Sequence, residues 1–261
     1  EEELLRGRAQ GFLSEAMPGC MVFVDGEFWG LYLMREAIRP ESLAERAGCA
    51  VEEIRMVENV YPAQIAPEYG ELYRLVTGQN AGSEKIYRQI LEQMDVDSFL
   101  EYYCANLYFG NPQFDSFSTT VWRQEGEDSV GKWHWEFNDA TDTLGRNSLS
   151  NYSVNTYLCP QVAGDLFFQG LLKNPDFAES FRRRMQAYAE EWTREQVEEA
   201  LTPILEKYRV AVTVTAQRYG VQQTEEGYLA DGDTILTYFD RRGEYILRYT
   251  QELLNRNAET E

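Results

Sequence analysis

Three aspartates in two polar segments are the residues of this 261-residue chain that are best suited to bind a metal ion. Asp139 and Asp142 follow an aromatic run that ends at Phe137, and Asp115 lies in an earlier polar loop, 111–118. Carboxylates are hard oxygen ligands, so these side chains could hold a divalent cation and leave coordination positions for substrate phosphates. Aspartates in turns also commonly bind their own backbone groups, and that purely structural role is the alternative.

Chemistry based on histidine or cysteine has little support. His134 is the single histidine and lies between two tryptophans on a predicted strand, where we expect a packed side chain rather than a catalytic base. A Cys/His zinc site or a Ser–His–Asp triad would need this one residue for every role. The cysteines form no CxxC pair, and we expect reduced thiols rather than a disulfide at Cys20, Cys49, Cys104 and Cys159.

The composition excludes other classes of function. The chain carries 24 Lys and Arg against 44 Asp and Glu, a formal net charge of −20. We therefore expect no nucleic-acid partner, because such sites need clustered basic residues. No apolar run approaches the roughly 18–20 residues that span a bilayer, so we expect no membrane insertion. The sequence shows no signal peptide, and the localisation stays unknown on this ground.

The elements that must position the aspartates are a helix and a hairpin. Asp95 is a typical helix N-cap, aromatic residues recur at helical spacing after it, and Gly110 supplies the C-terminal stop immediately before the first polar loop. Strands at 119–123 and 132–137 then form a hairpin whose second strand leads into the second polar segment. The two segments therefore belong to one helix–loop–hairpin unit.

The rest of the chain has an N-terminal β-rich part and a helical C-terminal part. The pattern predicts a helix at 2–16, a hairpin of 20–24 and 28–34 around Asp25-Gly26, a helix at 40–48, a strand at 54–57 and a helix at 68–76. Beyond Asp165 it predicts helices that begin at Asn174-Pro175 and at Thr193, and a last helix at 234–255 with a bend at Gly243. No repeat or linker interrupts the chain, so we expect a single α+β domain over residues 1–261.

Ordered motifs along the chain resemble the CotH family, which comprises spore-coat protein kinases and their relatives. Residues 24–36 resemble the family's hairpin motif NGEYWGLYLLRE, residues 94–111 resemble IDVDNFIDY…YFGN, and residues 131–145 resemble GKWRW…DLDYAFG. Residues 171–177 and 238–242 continue the similarity, which covers nearly the whole chain. The resemblance implies an atypical protein-kinase-like fold of the CotH type, with an N-terminal β-hairpin region on a mostly helical C-lobe.

The resemblance also implies an activity and its site. It implies ATP-dependent Ser/Thr phosphorylation of spore-coat or surface proteins, with Mg²⁺ or Mn²⁺ beside ATP, a protein substrate or coat or surface protein as partner, and a location at the spore coat or cell surface. Asp139 keeps the register of a family metal ligand, and Asp142 lies close to the second one. Glu36 matches a family glutamate, which implies a place in the cofactor pocket, and a structural salt bridge is the alternative.

Four positions depart from the family pattern GNxDWPGNNxxxWR and from its DxD motif. Gln113 stands where the family has its presumed catalytic aspartate, and an amide cannot accept a hydroxyl proton. Phe117 and Ser118 stand where the family has an Asn pair, and Thr141 replaces the second aspartate of DxD. Asp115, two residues beyond Gln113, is the candidate that could serve as the catalytic residue instead.

Two functions from different classes follow from these departures. Family members carry β-strands with an ATP-contacting lysine before the helix that residues 5–16 resemble, and we expect those nucleotide-binding strands to be missing from this sequence. One hypothesis is a protein kinase with weak or no activity. The other is a non-catalytic, pseudokinase-like scaffold that binds coat or surface proteins. A metal-dependent hydrolase that uses Asp139 and Asp142 has only the bare carboxylates in its favour.

Overall fold

The computed structural model describes residues 2–5, 18–34, 37–58, 67–111, 114, 119–127, 129–137, 140 and 143–259. Within these residues the helices are α1 (Glu2–Leu5), α2 (Pro40–Ala47), α3 (Pro67–Thr77), α4 (Glu84–Gln93), α5 (Val96–Phe109), α6 (Pro160–Ala163), α7 (Leu166–Leu172), α8 (Pro175–Glu191), α9 (Arg194–Arg218) and α10 (Glu225–Ala258). The strands are β1 (Gly19–Val24), β2 (Glu27–Leu33), β3 (Ile54–Glu58), β4 (Thr120–Gln124) and β5 (His134–Trp135). Long helices with small antiparallel sheets confirm the predicted α+β class.

The N-terminal hairpin forms as its turn residues predict. Asp25 and Gly26 have φ angles of 51° and 82°, the two successive positive values that a tight type I′ hairpin turn needs. The hairpin leans against α9 through its backbone. The Gly19 N–H donates to the Tyr208 hydroxyl at 2.8 Å, and the Leu31 N–H donates to the Thr215 hydroxyl at 2.8 Å. Side chains of α9 therefore satisfy strand groups that have no strand partner.

The second sheet has the order β3-β4-β5 and is antiparallel throughout. Its last strand is shorter than the predicted 132–137 and contains only His134 and Trp135. Trp133 leaves the ladder because its backbone bonds elsewhere: its N–H donates to the Gln93 carbonyl at 2.8 Å, and its carbonyl accepts from the Asp95 N–H at 2.9 Å. The sheet is thereby tied to the start of α5.

Helix α5 is enclosed on all sides. Every residue from Ser98 to Phe109 is buried, which explains why the sequence shows aromatic residues around the helix rather than one apolar stripe. Asp95 accepts a hydrogen bond from the Ser98 N–H at 2.9 Å, and Gly110 ends the helix in the left-handed conformation with φ of 68°. Both predicted caps are confirmed, and glycine is the residue that adopts the second one without steric cost.

The C-terminal helices cover α5, and α8 buries one face. Phe177, Phe181, Met185 and Tyr188 are fully buried along that face. The predicted starts are also present: the Asn174 side chain accepts hydrogen bonds from two N–H groups of the first turn of α8. Thr193 and Gln196 form the capping box of α9.

Helices α4 and α10 differ from the prediction, and only part of the predicted first helix is described. Helix α4 has no counterpart in the sequence analysis; it begins where the Ser83 hydroxyl accepts from the Ile86 N–H. Helix α10 begins at Glu225 rather than at 234, because the Thr224 hydroxyl accepts the Gly227 N–H at 3.0 Å. Helix α1 is the described part of the predicted helix 2–16, and residues 6–16 lie outside the described residues.

The four cysteines are free thiols, as predicted. Cys104 lies fully buried in α5, whereas Cys20, Cys49 and Cys159 are half-buried. Burial raises the pKa of the Cys104 thiol well above its usual range, so this side chain stays uncharged. None of the described helices combines the length and the apolarity needed to cross a bilayer.

Candidate active site

The predicted site residues Glu36, Asp115, Asp139 and Asp142 lie outside the described residues, and so do the substituted positions Gln113, Phe117, Ser118 and Thr141. The structure does describe the chain on both sides of the two polar segments, here called the first loop (111–118) and the second loop (138–145). Those flanking residues determine where each loop begins and ends. The contacts of these flanking residues therefore show how the loop ends are held.

The first loop leaves α5 in a defined direction. The Asn111 N–H donates to the Asn106 carbonyl at 3.0 Å, and the Asn111 side-chain amide donates to the Asn106 side-chain oxygen at 2.8 Å. The Phe114 N–H donates to the Asn111 carbonyl at 3.3 Å. The Phe114 ring meets the Tyr103 ring edge-on, with centroids 5.0 Å apart. The side of the loop that precedes Asp115 is thus held against α5.

The end of the first loop and the start of the second lie side by side. The Glu136 N–H donates to the Thr120 carbonyl at 3.2 Å, and Val121 pairs with Trp135 in the antiparallel ladder. Ser118 is two residues before Thr120, and Asn138 is two residues after Glu136. The first loop therefore ends, and the second loop begins, at the same end of the antiparallel pair β4 and β5.

The second loop closes back onto the helix from which the first loop starts. The Leu144 N–H donates to the Phe109 carbonyl at 3.0 Å, and the Gly145 N–H donates to the Ser150 carbonyl at 2.9 Å. Leu144 and Gly145 have φ angles of 56° and 83°, and the left-handed conformation is unusual for leucine. These hydrogen bonds hold that reversal in place. The two loops consequently share an anchor at the C-terminal end of α5 as well as at the sheet.

Arg242 is a buried positively charged residue that fixes this anchor. It is fully buried, and its guanidinium donates to the Tyr108 carbonyl at 2.9 Å and to the Leu107 carbonyl at 2.7 Å. It also donates to the carbonyls of Tyr152 and Val154 at 2.9 and 2.6 Å. The last carbonyls of a helix carry partial negative charge, which offsets the cost of burying a cation there.

Glu136 is a second buried charge beside the loops. It is fully buried, accepts a hydrogen bond from the Trp122 indole N–H at 2.6 Å, and lies 3.6 Å from the guanidinium of Arg46. The pair connects α2 to the strand that leads into the second loop. Glu136 is not among the predicted site residues, although a charged residue inside the aromatic run 133–137 is a signal that could have identified it.

His134 has the packed environment that the sequence predicts. Its ring stacks on Trp122 with centroids 4.9 Å apart, and its Nδ1 lies 3.4 Å from a carboxylate oxygen of Asp95. Burial lowers the pKa of His134; the Asp95 carboxylate acts in the opposite direction, and Lys132 lowers it further. The histidine joins the sheet to the N-terminal cap of α5 and lies on the strand, not in either loop.

A divalent cation is compatible with the chemistry of the loop residues. Among the residues that the structure describes, no three His, Cys, Asp or Glu side chains form a group that could hold a metal. The predicted ligands Asp139 and Asp142, with Asp115, would hold it through hard carboxylate oxygens, the donors that Mg²⁺ and Mn²⁺ prefer. The Thr119 hydroxyl, beside the first loop, is buried and has no hydrogen-bond partner among the described residues.

The chain matches one known protein family. The family model described as CotH kinase protein matches residues 7–246. Since the match covers most of the chain, this protein belongs to the CotH kinase protein family. A search of curated proteins found no match.

Proposed function

We propose that the chain is a CotH-type protein kinase domain, with an atypical kinase-like fold over residues 1–261, that transfers phosphate from ATP to Ser or Thr of a protein weakly or not at all. The family match over residues 7–246 supports the kinase-like class. The single observation that carries the proposal is the shared anchoring of the two loops. Phosphoryl transfer depends on positioning and on charge neutralisation rather than on covalent chemistry by the protein.

The anchoring supports an acid residue and a metal ligand acting at one place. The first loop starts at Gly110, next to Phe109, whose carbonyl accepts the Leu144 N–H at the end of the second loop. On the sheet side, Thr120 and Glu136 bring the other two loop ends together at 3.2 Å between N and O. We propose that Asp115 on the first loop acts together with Asp139 and Asp142 on the second, and the shared anchoring of the described loop ends supports this. Glu36 is proposed to line the nucleotide pocket.

The substitutions are the reason to propose reduced activity. Gln113 offers an amide where a carboxylate would orient the substrate hydroxyl. Ser118 and Thr141 replace an amide and a carboxylate that the family resemblance assigns to metal or phosphate binding. Loss of a single charge-stabilising donor commonly costs on the order of 100–1,000-fold in rate, and such losses in one unit are not additive.

The test is a transfer assay with labelled ATP, Mn²⁺ and a Ser-containing peptide. The unmodified chain is expected to give little or no transfer, and Gln113→Asp is expected to raise it. Asp139→Asn should remove whatever transfer Gln113→Asp gains, whereas Glu127→Gln, an exposed carboxylate in the β4–β5 connection, should leave it unchanged. Robust transfer by the unmodified chain that Asp115→Asn abolishes would place the catalytic carboxylate at Asp115 and contradict the proposed loss of activity.

A second candidate is a non-catalytic, pseudokinase-like scaffold that binds coat or surface proteins. The amide at Gln113 favours it, because the site then lacks the group that orients the attacking hydroxyl. The assay separates the two functions: a scaffold gives no transfer even after Gln113→Asp, while a degenerate kinase regains some. Location at a spore coat or cell surface is part of this proposal and follows from the family alone.

A further inference from the structure

A pocket lies between the end of the second loop and helix α10. Its volume is about 230 Å³, and Gly145, Asn151 and Tyr152 line one side, with Asp233 and Thr237 on the other. Pockets that enclose a drug-sized ligand are typically about 300–1,000 Å³. This one therefore suits a single side chain or small group better than a whole nucleotide.

Asp233 is the one aspartate of α10 whose carboxylate has no partner in the described part of the chain. Asp231 accepts a hydrogen bond from the Gln223 side-chain amide at 3.2 Å, and Asp240 lies 3.4 Å from Arg241. Asp233 enters no hydrogen bond or ion pair of the described residues, and the residues lining the pocket with it include no Lys or Arg. The pocket thus presents an exposed carboxylate that no Lys or Arg of its lining neutralises.

The remaining wall is suited to a cation and is held in place. The Tyr152 carbonyl accepts from the guanidinium of Arg242 at 2.9 Å, which fixes its backbone. Asn151 is fixed as well, because its side-chain oxygen accepts the Ser153 N–H at 3.0 Å. The Thr237 hydroxyl adds an oxygen acceptor. Because these wall residues are already ordered, a ligand can bind them without the entropic cost of ordering them.

We propose that this pocket binds a guanidinium or alkylammonium group. The Asp233 carboxylate would accept its hydrogen bonds, and Tyr152 and Thr237 would enclose it. The net charge of −20 favours the approach of a cation from solution. Such a group can come from an Arg or Lys side chain of a protein or from a free polyamine, and the test separates these sources.

The pocket borders the second loop, so a cationic side chain bound there would help to select the protein substrate. Gly145 belongs both to the pocket wall and to the loop that carries Asp139 and Asp142. A basic residue seated on Asp233 would hold a neighbouring Ser or Thr of the same peptide close to that loop. This role in selection rests on the proposed function, whereas the binding of the cation does not.

The experiment measures binding without catalysis. A fluorescent Ser-containing peptide with one Arg, the same peptide with neutral citrulline in place of Arg, and spermidine are titrated into the full chain at low salt and at physiological salt. The Arg peptide is expected to bind at least about fivefold more tightly than the citrulline peptide, the size of a modest ion pair. Spermidine binding without Arg-peptide binding assigns the pocket to polyamines.

Two variants make the result specific to the pocket. Asp233→Asn should abolish the difference between the Arg and citrulline peptides, and Asp231→Asn, two residues away but bonded to Gln223, should preserve it. Equal affinity of both peptides together with no spermidine binding, or equal losses in the two variants, would overturn the proposal. Because no step requires phosphate transfer, an inactive chain can still support this inference, and an active chain can still contradict it.

Discussion

The guanidinium of Arg242 donates from Nε to the carbonyl oxygen of Tyr108 at 2.9 Å, although 134 positions separate the two residues in sequence. Tyr108 also accepts a hydrogen bond at the same carbonyl from the Tyr238 hydroxyl. Two side chains of α10 thus donate hydrogen bonds to a carbonyl in the last turn of α5, immediately before the first loop begins. The position of that loop depends on α10.

Replacement of Arg242 should be strongly destabilising. Arg242→Met leaves several buried carbonyl oxygens without a donor, and each such group costs about 1–3 kcal/mol. We expect the free energy of unfolding to fall by about 3 kcal/mol or more, as measured by denaturant unfolding. The neighbouring Arg241, which is exposed and lies 3.4 Å from Asp240, is the matched control: Arg241→Met should change the free energy of unfolding by about 0.5 kcal/mol or less. Similar losses in both variants would contradict the role assigned to Arg242.

Asp139 should be required for the binding of a divalent cation. A ligand that binds the folded state alone raises the melting temperature through mass action, so millimolar Mn²⁺ is expected to raise the melting temperature of the unmodified chain. Asp139→Ala should abolish this shift, and Glu127→Gln should retain it. If the unmodified chain shows no shift in a thermal unfolding experiment, the metal site is wrong without any need for the variant.

His134 should make the protein less stable as the pH falls. Burial lowers the pKa of the folded-state imidazole, while the unfolded chain keeps a value near 6.5. Below about pH 6.5 the unfolded state binds the proton more readily, so the stability contributed by neutral His134 is complete above that pH and is lost below it. Since this is the one histidine of the chain, His134→Gln should flatten the change in unfolding free energy between about pH 7.5 and 5.5.

A second variant tests the sign of the Asp95 contribution. The Asp95 carboxylate favours the protonated imidazole, so its removal should lower the pKa of His134 further and steepen the loss of stability on acidification. Asp95→Asn serves well because asparagine also caps helices. An Asp95→Asn protein whose stability depends on pH less than that of the unmodified chain would contradict the assignment.

Salt should stabilise the protein. A net charge of −20 repels itself in the folded state, and added ions screen that repulsion because the Debye length shrinks to about 8–10 Å near physiological ionic strength. The melting temperature is expected to rise between low salt and about 0.3 M NaCl. A steady fall over the same range would mean that specific ion pairs, such as that between Arg184 and Asp97 at 2.9 Å, dominate.

Local signals in the sequence were enough to predict many elements of the fold. Asp25-Gly26 predicts its hairpin because both residues tolerate positive φ, and Asp95 and Gly110 predict the ends of α5 because each cap involves neighbouring residues only. Helix α4 was missed because Gly78 and Gly82 emphasise a loop just before the Ser83 cap. The shortness of β5 was missed because Trp133 bonds to residues 93 and 95, a contact that leaves no pattern in the strand itself.

Residue types were enough to select candidate site residues, which remain predictions, but the buried residues that support the loop ends could not be selected in this way. Asp139 and Asp115 stand out as carboxylates in polar loops next to strong helix and strand signals. Arg242 could not be identified as a site support, because its acceptors are backbone carbonyls far away in sequence, and any residue type can provide a carbonyl. Glu136 is an intermediate case, since a charge in an aromatic run is visible but its partner Arg46 lies in another helix.

The order in which the chain is synthesised gives the contacts of Arg242 a further consequence. Its backbone acceptors precede it by 88 to 135 positions, so a nascent chain on the ribosome carries the complete helix–loop–hairpin unit well before the residue that fixes it. Until α10 emerges from the exit tunnel, the carbonyls at the end of α5 have no guanidinium donor. The described ends of the two loops are therefore fixed only after residue 242 has emerged, and premature termination before residue 242 would release chains whose loop ends lack this common anchor.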